Sequence, residues 1–162
     1  MGTAWLSLGS NQDAEANLAA AAEALRARFG AVRFSPVYRT PAVGFEGPDF
    51  LNAAAVIESE LDPFALNDWL HALEDAQGRD RSGPRFSSRT LDVDIVLYDD
   101  LVLTGPGHLQ LPRDELRHAF VLRPLADIAP DVVVPGTGRT LAELWAAHPG
   151  EPGLHVDPLV LG

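Results

Sequence analysis

The sequence predicts an α+β fold in which one antiparallel sheet is flanked by helices. Three observations carry that prediction. Segments with period-two and helix-period apolar patterns follow one another in the order β-α-β-β-α-β, the split β-α-β arrangement of ferredoxin-like folds. Both long helix patterns are punctuated by their own start or stop residues. At 162 residues, 46% hydrophobic and 22% charged, the chain has material for one core and is short for two, so residues 1–162 are taken as a single domain.

Residues 3–8 read as a strand, with Gly9-Ser10-Asn11 as a turn. Leu18, Ala22, Leu25 and Phe29 then repeat at helical spacing, and Gly30 stops the helix. Val32 to Arg39 alternates as a strand, and Thr40 is held extended by Pro41. Residues 42–49 are rich in turn formers. Phe50 to Ser59 forms a strand with Phe50, Asn52, Ala54 and Val56 on one face and Leu51, Ala53, Ala55 and Ile57 on the other. Asp62-Pro63 starts a second helix with a stripe of Leu66, Trp69, Leu70 and Leu73, ended by Gly78. Residues 79–90 read as an exposed basic loop. In Leu91 to Tyr98, Leu91, Val93, Ile95 and Leu97 face one way while Asp92, Asp94 and Val96 face the other, and Leu101 to Leu103 is expected to pair with this strand. Short apolar pieces follow at 109–112, 120–122 and 132–134. Thr140 and Glu143 make a capping box for a last helix, stopped at Pro149-Gly150, and the tail beyond reads as a loosely packed arm.

Composition excludes whole classes of function. Twelve basic against 23 acidic residues give a net charge of −11, the wrong sign for a nucleic-acid binder. No apolar run approaches the ~20 residues that span a bilayer, so no membrane partner is expected. The N-terminus lacks the pattern of a secretory signal, and a cytoplasmic location is expected. With no cysteine there is no thiolate nucleophile or thiolate metal site, and with no lysine there is no P-loop lysine or Schiff base. All twelve cations are arginines, and Arg79, Arg81, Arg85 and Arg89 fall within eleven residues, opposed there only by Asp80. On so acidic a chain, that run is where an anion would go.

Asp92-Val93-Asp94 is the sharpest chemical signal. Carboxylates at i and i+2 of a strand share a face and suit a hard cation such as Mg²⁺, whose shell is completed by water and phosphates. Arg89, three residues upstream, suits the phosphates of such a complex. The pair alone also fits an edge strand kept charged against aggregation, and both explanations stay open at this point. Neither Gly-x-Gly-x-x-Gly nor a P-loop occurs, the five histidines lack metal-ligand spacing, and the nucleophile elbow of a serine hydrolase is missing. Phe50 and Asn52 offer an aromatic plate and an amide on one face, which suits a planar heterocycle and equally suits a core.

These pieces together resemble one family, the 6-hydroxymethyl-7,8-dihydropterin pyrophosphokinases of folate biosynthesis. The resemblance is carried by Leu8-Gly-Ser-Asn11, Tyr38-Arg-Thr-Pro41 with Gly44, Phe50-Leu-Asn52 and Leu73-Glu74 with Gly78-Arg79-x-Arg81. Arg89-Thr-Leu-Asp-Val-Asp-Ile95 and Phe120-Val-Leu-x-Pro-Leu125 with Ile128-Ala-Pro130 continue it in family order across about residues 5–135, leaving a C-terminal helix and tail over 136–162. It implies an enzyme that moves the β,γ-diphosphate of ATP to the pterin hydroxymethyl group and releases AMP. Asp92 and Asp94 would then hold two Mg²⁺ ions, with Arg79 and Arg89 beside them in catalysis. The nucleotide would meet His71, Glu74, Arg81, Arg85, Ile95, Arg113 and His118, with Ile95 lining the adenine site. The pterin would meet Thr40, Pro41, Val43, Phe50, Asn52 and Phe120, the two phenylalanines stacking on its faces. Small-molecule substrates and a monomer complete the expectation.

Departures from the family cluster on the phosphate side. Ser82 stands where lysine is frequent, Phe86 where tryptophan is, Arg113 where histidine is, and His118 where arginine is common. Two other readings therefore stand beside the enzyme: a catalytically weak pterin- or nucleotide-binding paralogue, and a ferredoxin-like interaction module without ligand chemistry.

Overall fold

The computed structural model describes residues 1–41, 48–78, 91–106 and 109–162. β1 (Gly2–Ser10) leads through α1 (Ala14–Phe29) to two short strands, β2 (Arg33–Phe34) and β3 (Val37–Thr40). β4 (Phe50–Ser59), α2 (Pro63–Ala76) and β5 (Asp92–Tyr98) complete the β-α-β-β-α-β order. A hairpin of β6 (Leu103–Gly105) and β7 (Leu109–Leu111) precedes a 3₁₀ turn (Asp114–Arg117) and α3 (Ala119–Ile128). The strands β8 (Val133–Val134) and β9 (Arg139–Thr140), helix α4 (Leu141–Ala147) and β10 (His155–Asp157) follow. The main sheet runs β10-β3-β4-β1-β5, with β2 also on β4, and every pairing in it is antiparallel. This is the α+β architecture that the pattern of elements predicts. Among the described residues, no helix is long and apolar enough to cross a membrane.

The alternation along β1, β4 and β5 divides the core in two. Ala4, Leu6 and Leu8 join Leu51, Ala53, Ala55, Ile57, Val93 and Ile95 in packing against Leu18, Ala21, Ala22 and Leu25 of α1 and Leu66 and Leu70 of α2. Each large aliphatic residue among them is worth about 1.5–3 kcal/mol of burial. On the other face Ala54, Val96 and Leu97 meet Val121, Leu122 and Leu125 of α3 and Leu141 of α4. Local chemistry fixes the helix ends. The Asp62 side chain accepts from the Ala65 amide at 2.8 Å, and Thr140 and Glu143 close the predicted capping box. Gly30 ends α1 at φ +81°, a conformation that favours glycine.

Five expectations are corrected. The strand over 32–39 is broken at Ser35-Pro36, because proline brings no amide to the ladder; Ser35 bridges the gap through its amide and hydroxyl to Ala54. Leu97 does not share a face with Leu91, Val93 and Ile95. A register shift opposite Trp5 and Leu6 places Val96 and Leu97 in the same core. Leu101 to Leu103 does not pair with β5, since a turn with Asp99 at φ +48° redirects the chain and Leu103 pairs with Leu111 instead. The apolar piece at 120–122 belongs to a ten-residue helix whose repeat (Val121, Leu122, Leu125, Ile128) is interrupted in sequence by Pro124. The tail is no loose arm. Its β10 pairs with β3, Asp157 binds Arg39 at 3.0 Å, and Leu161 is buried.

Candidate active site

The C-terminal end of the central strand β1 organises the site. Gly9 lies opposite Asn52 of β4 on one side and Asp92 of β5 on the other, so all three share one sheet face. Two strand spacings, about 10 Å, therefore separate Asn52 from Asp92. Glycine suits the middle position because a Cβ there would stand 3.1 Å from Asn52 Oδ1. Next along, the buried Asn11 donates through Nδ2 to the Pro48 carbonyl at 3.2 Å.

On the β5 side three carboxylates converge. Asp92 and Asp94 alternate onto the open face, and Glu74 reaches them from α2, placing one oxygen of each within 4.8 Å of the others. Glu74 is 1% exposed, and its Oε2 accepts from the Val93 amide at 2.9 Å on the outer edge of β5. A helix carboxylate thus ties down the strand between the two aspartates. Burial, followed by the charge of Asp92, holds the Asp94 carboxyl well above the usual carboxylate range, against the opposing pull of Arg113. Arg113 is anchored by its amide to the Val96 carbonyl at 2.9 Å. Its Nη2 lies 3.4 Å from Asp94 Oδ1 and its Nε 3.1 Å from Glu115 Oε2. Three hard oxygen donors on one side of a shallow face, lacking nitrogen or sulfur, fit Mg²⁺.

On the β4 side, Asn52 Nδ2 donates to Thr40 Oγ1 at 3.1 Å, and both residues are buried. That bond uses one of the amide's two donors, and the Asn52 side chain makes no other hydrogen bond among the described residues. Phe50 is half-buried and pairs with Thr40 across the ladder. Phe120 is half-buried on α3 with the His118 ring stacked on it, centroids 5.1 Å apart at 8°. Pro41 is exposed beside Thr40.

The fold therefore brings Asp92, Asp94, Glu74 and Arg113 together, and Thr40, Phe50 and Asn52 together beside them. His71 stands one helical turn before Glu74 on α2. Ile95 is 1% exposed in the core shared with α1 and α2, so its side chain lines no open site. Val43, Arg79, Arg81, Arg85, Arg89, Ser82 and Phe86 lie outside the described residues. The family resemblance puts Glu74 with the nucleotide, and the fold makes it a third carboxylate beside the aspartates as well. The available signal was its position four residues after Leu70 on the buried stripe of α2, where a charge needs a partner. Gly9, expected in a turn, lies inside β1, where ladder pairing on both sides carries the strand through to Ser10; Glu115 has no marker in the sequence.

Comparison with known proteins gives the family and the fold of the chain. Residues 5–130 match the family model of 7,8-dihydro-6-hydroxymethylpterin-pyrophosphokinase. The chain is 43% identical over 122 residues to a 2-amino-4-hydroxy-6-hydroxymethyldihydropteridine pyrophosphokinase of Pseudomonas aeruginosa, covering 74% of each. It is also 43% identical over 151 residues to the protein of that name from Methylorubrum extorquens, covering 90% of this chain and 93% of that one. Its fold is similar to the crystal structure of Plasmodium falciparum HPPK-DHPS with pteroate, at TM-score 0.70 and 12% identity. That similarity covers 90% of this chain and 42% of the other.

Proposed function

Because the chain belongs to the 7,8-dihydro-6-hydroxymethylpterin-pyrophosphokinase family, we propose that it transfers the β,γ-diphosphate of ATP to the hydroxymethyl group of 6-hydroxymethyl-7,8-dihydropterin. The carrying observation is the placement of Asn52 and Asp92 on either side of Gly9, on one face. An amide able to read a ring edge and a carboxylate group able to hold cations stand about 10 Å apart, a span that a fused bicyclic ring and its substituent bridge.

In this reading the hydroxymethyl oxygen bonds to the β-phosphorus as the bond from that phosphorus to the α,β-bridging oxygen breaks. The diphosphate moves as one unit, AMP leaves, and the hydroxyl gives up its proton. Two Mg²⁺ ions held by Asp92 and Asp94 would supply charge neutralisation and an acidified hydroxyl. Glu74 keeps the two carboxylates in register through the Val93 amide. Asn52, oriented by Thr40, offers the ring a donor and an acceptor, and a substrate lacking the matching groups leaves buried polar atoms unpaired. Phe50 and Phe120 provide the apolar faces. The alternation of β5 turns the backbone amide and carbonyl of Ile95 to the same outer edge as the Val93 amide, so an adenine there would meet main chain, not the Ile95 side chain. His71, Arg79, Arg81, Arg85, Arg89 and His118 are assigned to the nucleotide by the family resemblance. A monomer and a cytoplasmic location complete the proposal.

AMP release from ATP and Mg²⁺, measured with and without the pterin, tests the reading. Release should require the pterin. Asp92→Ala and Asp94→Ala should each abolish it while circular dichroism shows the fold retained, since relieving crowded carboxylates rarely destabilises a fold. Near-normal turnover in both variants would sink the metal assignment.

A further inference from the structure

We propose that Arg113 is a resident counterion, occupying the cation side of Asp94 until metal and nucleotide arrive together. The inference rests on the metal reading above and concerns this chain's own side chain. Asp94 is crowded by the carboxylates of Asp92, Glu74 and Glu115, and among the described residues Arg113 is the cation that opposes them there. Arg113 cannot drift away as a whole, because its amide is tied to the Val96 carbonyl of the same strand that carries Asp94. Its side chain is 20% exposed and that of Asp94 24%, so the pair is partly shielded from water, where ion pairs are screened less.

A divalent cation settling on Asp94 would stand beside the guanidinium, and like charges that close repel strongly. The guanidinium must then swing off Asp94. Glu115 Oε2 stands 3.1 Å from its Nε as an ion pair without hydrogen-bond geometry, and the long planar side chain can turn its outer nitrogens to a phosphate oxygen. Triphosphate supplies a partner that a bare cation does not. Metal alone therefore has to displace Arg113 without recompense, whereas metal with nucleotide hands it a new anion. Arg113 thus weakens binding of the bare ion and strengthens the mutual dependence of ion and nucleotide, a coupling that is reciprocal by linkage.

The probe is Mn²⁺, followed by electron paramagnetic resonance and calorimetry on the full chain, with and without a non-hydrolysable ATP analogue. Arg113→Gln should bind Mn²⁺ alone about tenfold more tightly than the wild type, and the factor by which the analogue tightens Mn²⁺ should shrink by about tenfold. Arg113→Lys, which keeps the charge, should stay within about threefold of the wild type. Should Arg113→Gln fail to fold, Arg113→His at pH 8, where an ordinary imidazole is neutral, takes its place with the same expectation. Unchanged or weaker binding of Mn²⁺ alone in the neutral variant overturns the inference while leaving the metal reading intact, provided the wild type binds Mn²⁺ with the analogue. If the wild type binds no Mn²⁺ even then, the metal reading fails and this inference fails with it.

Discussion

Replacing Glu74 by glutamine should produce opposite effects with and without metal. Glu74 is buried and its carboxylate lies within 4.8 Å of both aspartates. Two unit charges 4.8 Å apart repel by about 3.5 kcal/mol at an effective dielectric of about 20, and protonation of either carboxyl reduces that. Glutamine keeps an acceptor for the Val93 amide and loses the charge assistance of that bond, about 1 kcal/mol. With half the repulsion realised, the metal-free variant gains about 1 kcal/mol net. For a chain of this size that corresponds to a melting temperature higher by roughly 2–4 °C in EDTA. Added Mg²⁺ should reverse the order, because the variant offers the ion one negative charge fewer and gains less from it. Differential scanning fluorimetry with EDTA and with Mg²⁺ measures both halves. A variant that melts below the wild type in EDTA, or gains the same increment from Mg²⁺, refutes the reasoning.

Two further outcomes follow from the same geometry. The Asp94 carboxyl is held high, so the folded protein binds that proton more tightly than the unfolded chain. Its stabilising contribution is complete below the unfolded value of about 3.9 and is lost as pH rises through the folded value. The melting temperature in EDTA should therefore fall across that interval, Asp94→Asn should flatten the fall, and Mn²⁺ affinity should rise with pH over the same window. Affinity that stays level from neutrality down to about pH 4.5 contradicts this. Gly9→Ala places a Cβ 3.1 Å from Asn52 Oδ1 while nothing of Asp92 lies within 4 Å of it. Displacing one hydrogen-bonding amide costs about 1 kcal/mol, so the KM for the pterin should rise about fivefold with nucleotide affinity unchanged. Equal losses on both substrates would place Gly9 elsewhere in the mechanism.

How far these features can be read from the sequence depends on the range of the interaction. Gly30, Asp62-Pro63 and the Thr140–Glu143 box act within one turn, and the structure keeps all three. The alternation of Asp92 and Asp94 is equally local and placed them correctly on one face. What escaped depended on partners far along the chain. β10 is too short and polar to announce itself, and it becomes a strand only because β3 offers an edge and Arg39 meets Asp157. Glu74 acquires its partner 19 residues on, at the Val93 amide. The Val96–Leu97 irregularity is invisible without the facing strand, because a bulge is defined by its neighbour.

That irregularity has an evolutionary consequence. A strand with strict alternation transmits any change of length along itself, since a slip of one residue turns every side chain over. The extra residue opposite Trp5 and Leu6 divides β5 into two halves with separate phases. An insertion or deletion arising at the Asp99–Asp100 turn can be absorbed there by moving or cancelling the bulge, and Asp94 keeps its orientation. The same change between Asp92 and Asp94 has no such buffer and sends one carboxylate into the hydrophobic core. Lineages of this fold should therefore vary in length downstream of Val96 and hold the Asp-x-Asp spacing rigid, the bulge serving as the seam along which loops are rewritten without disturbing the chemistry.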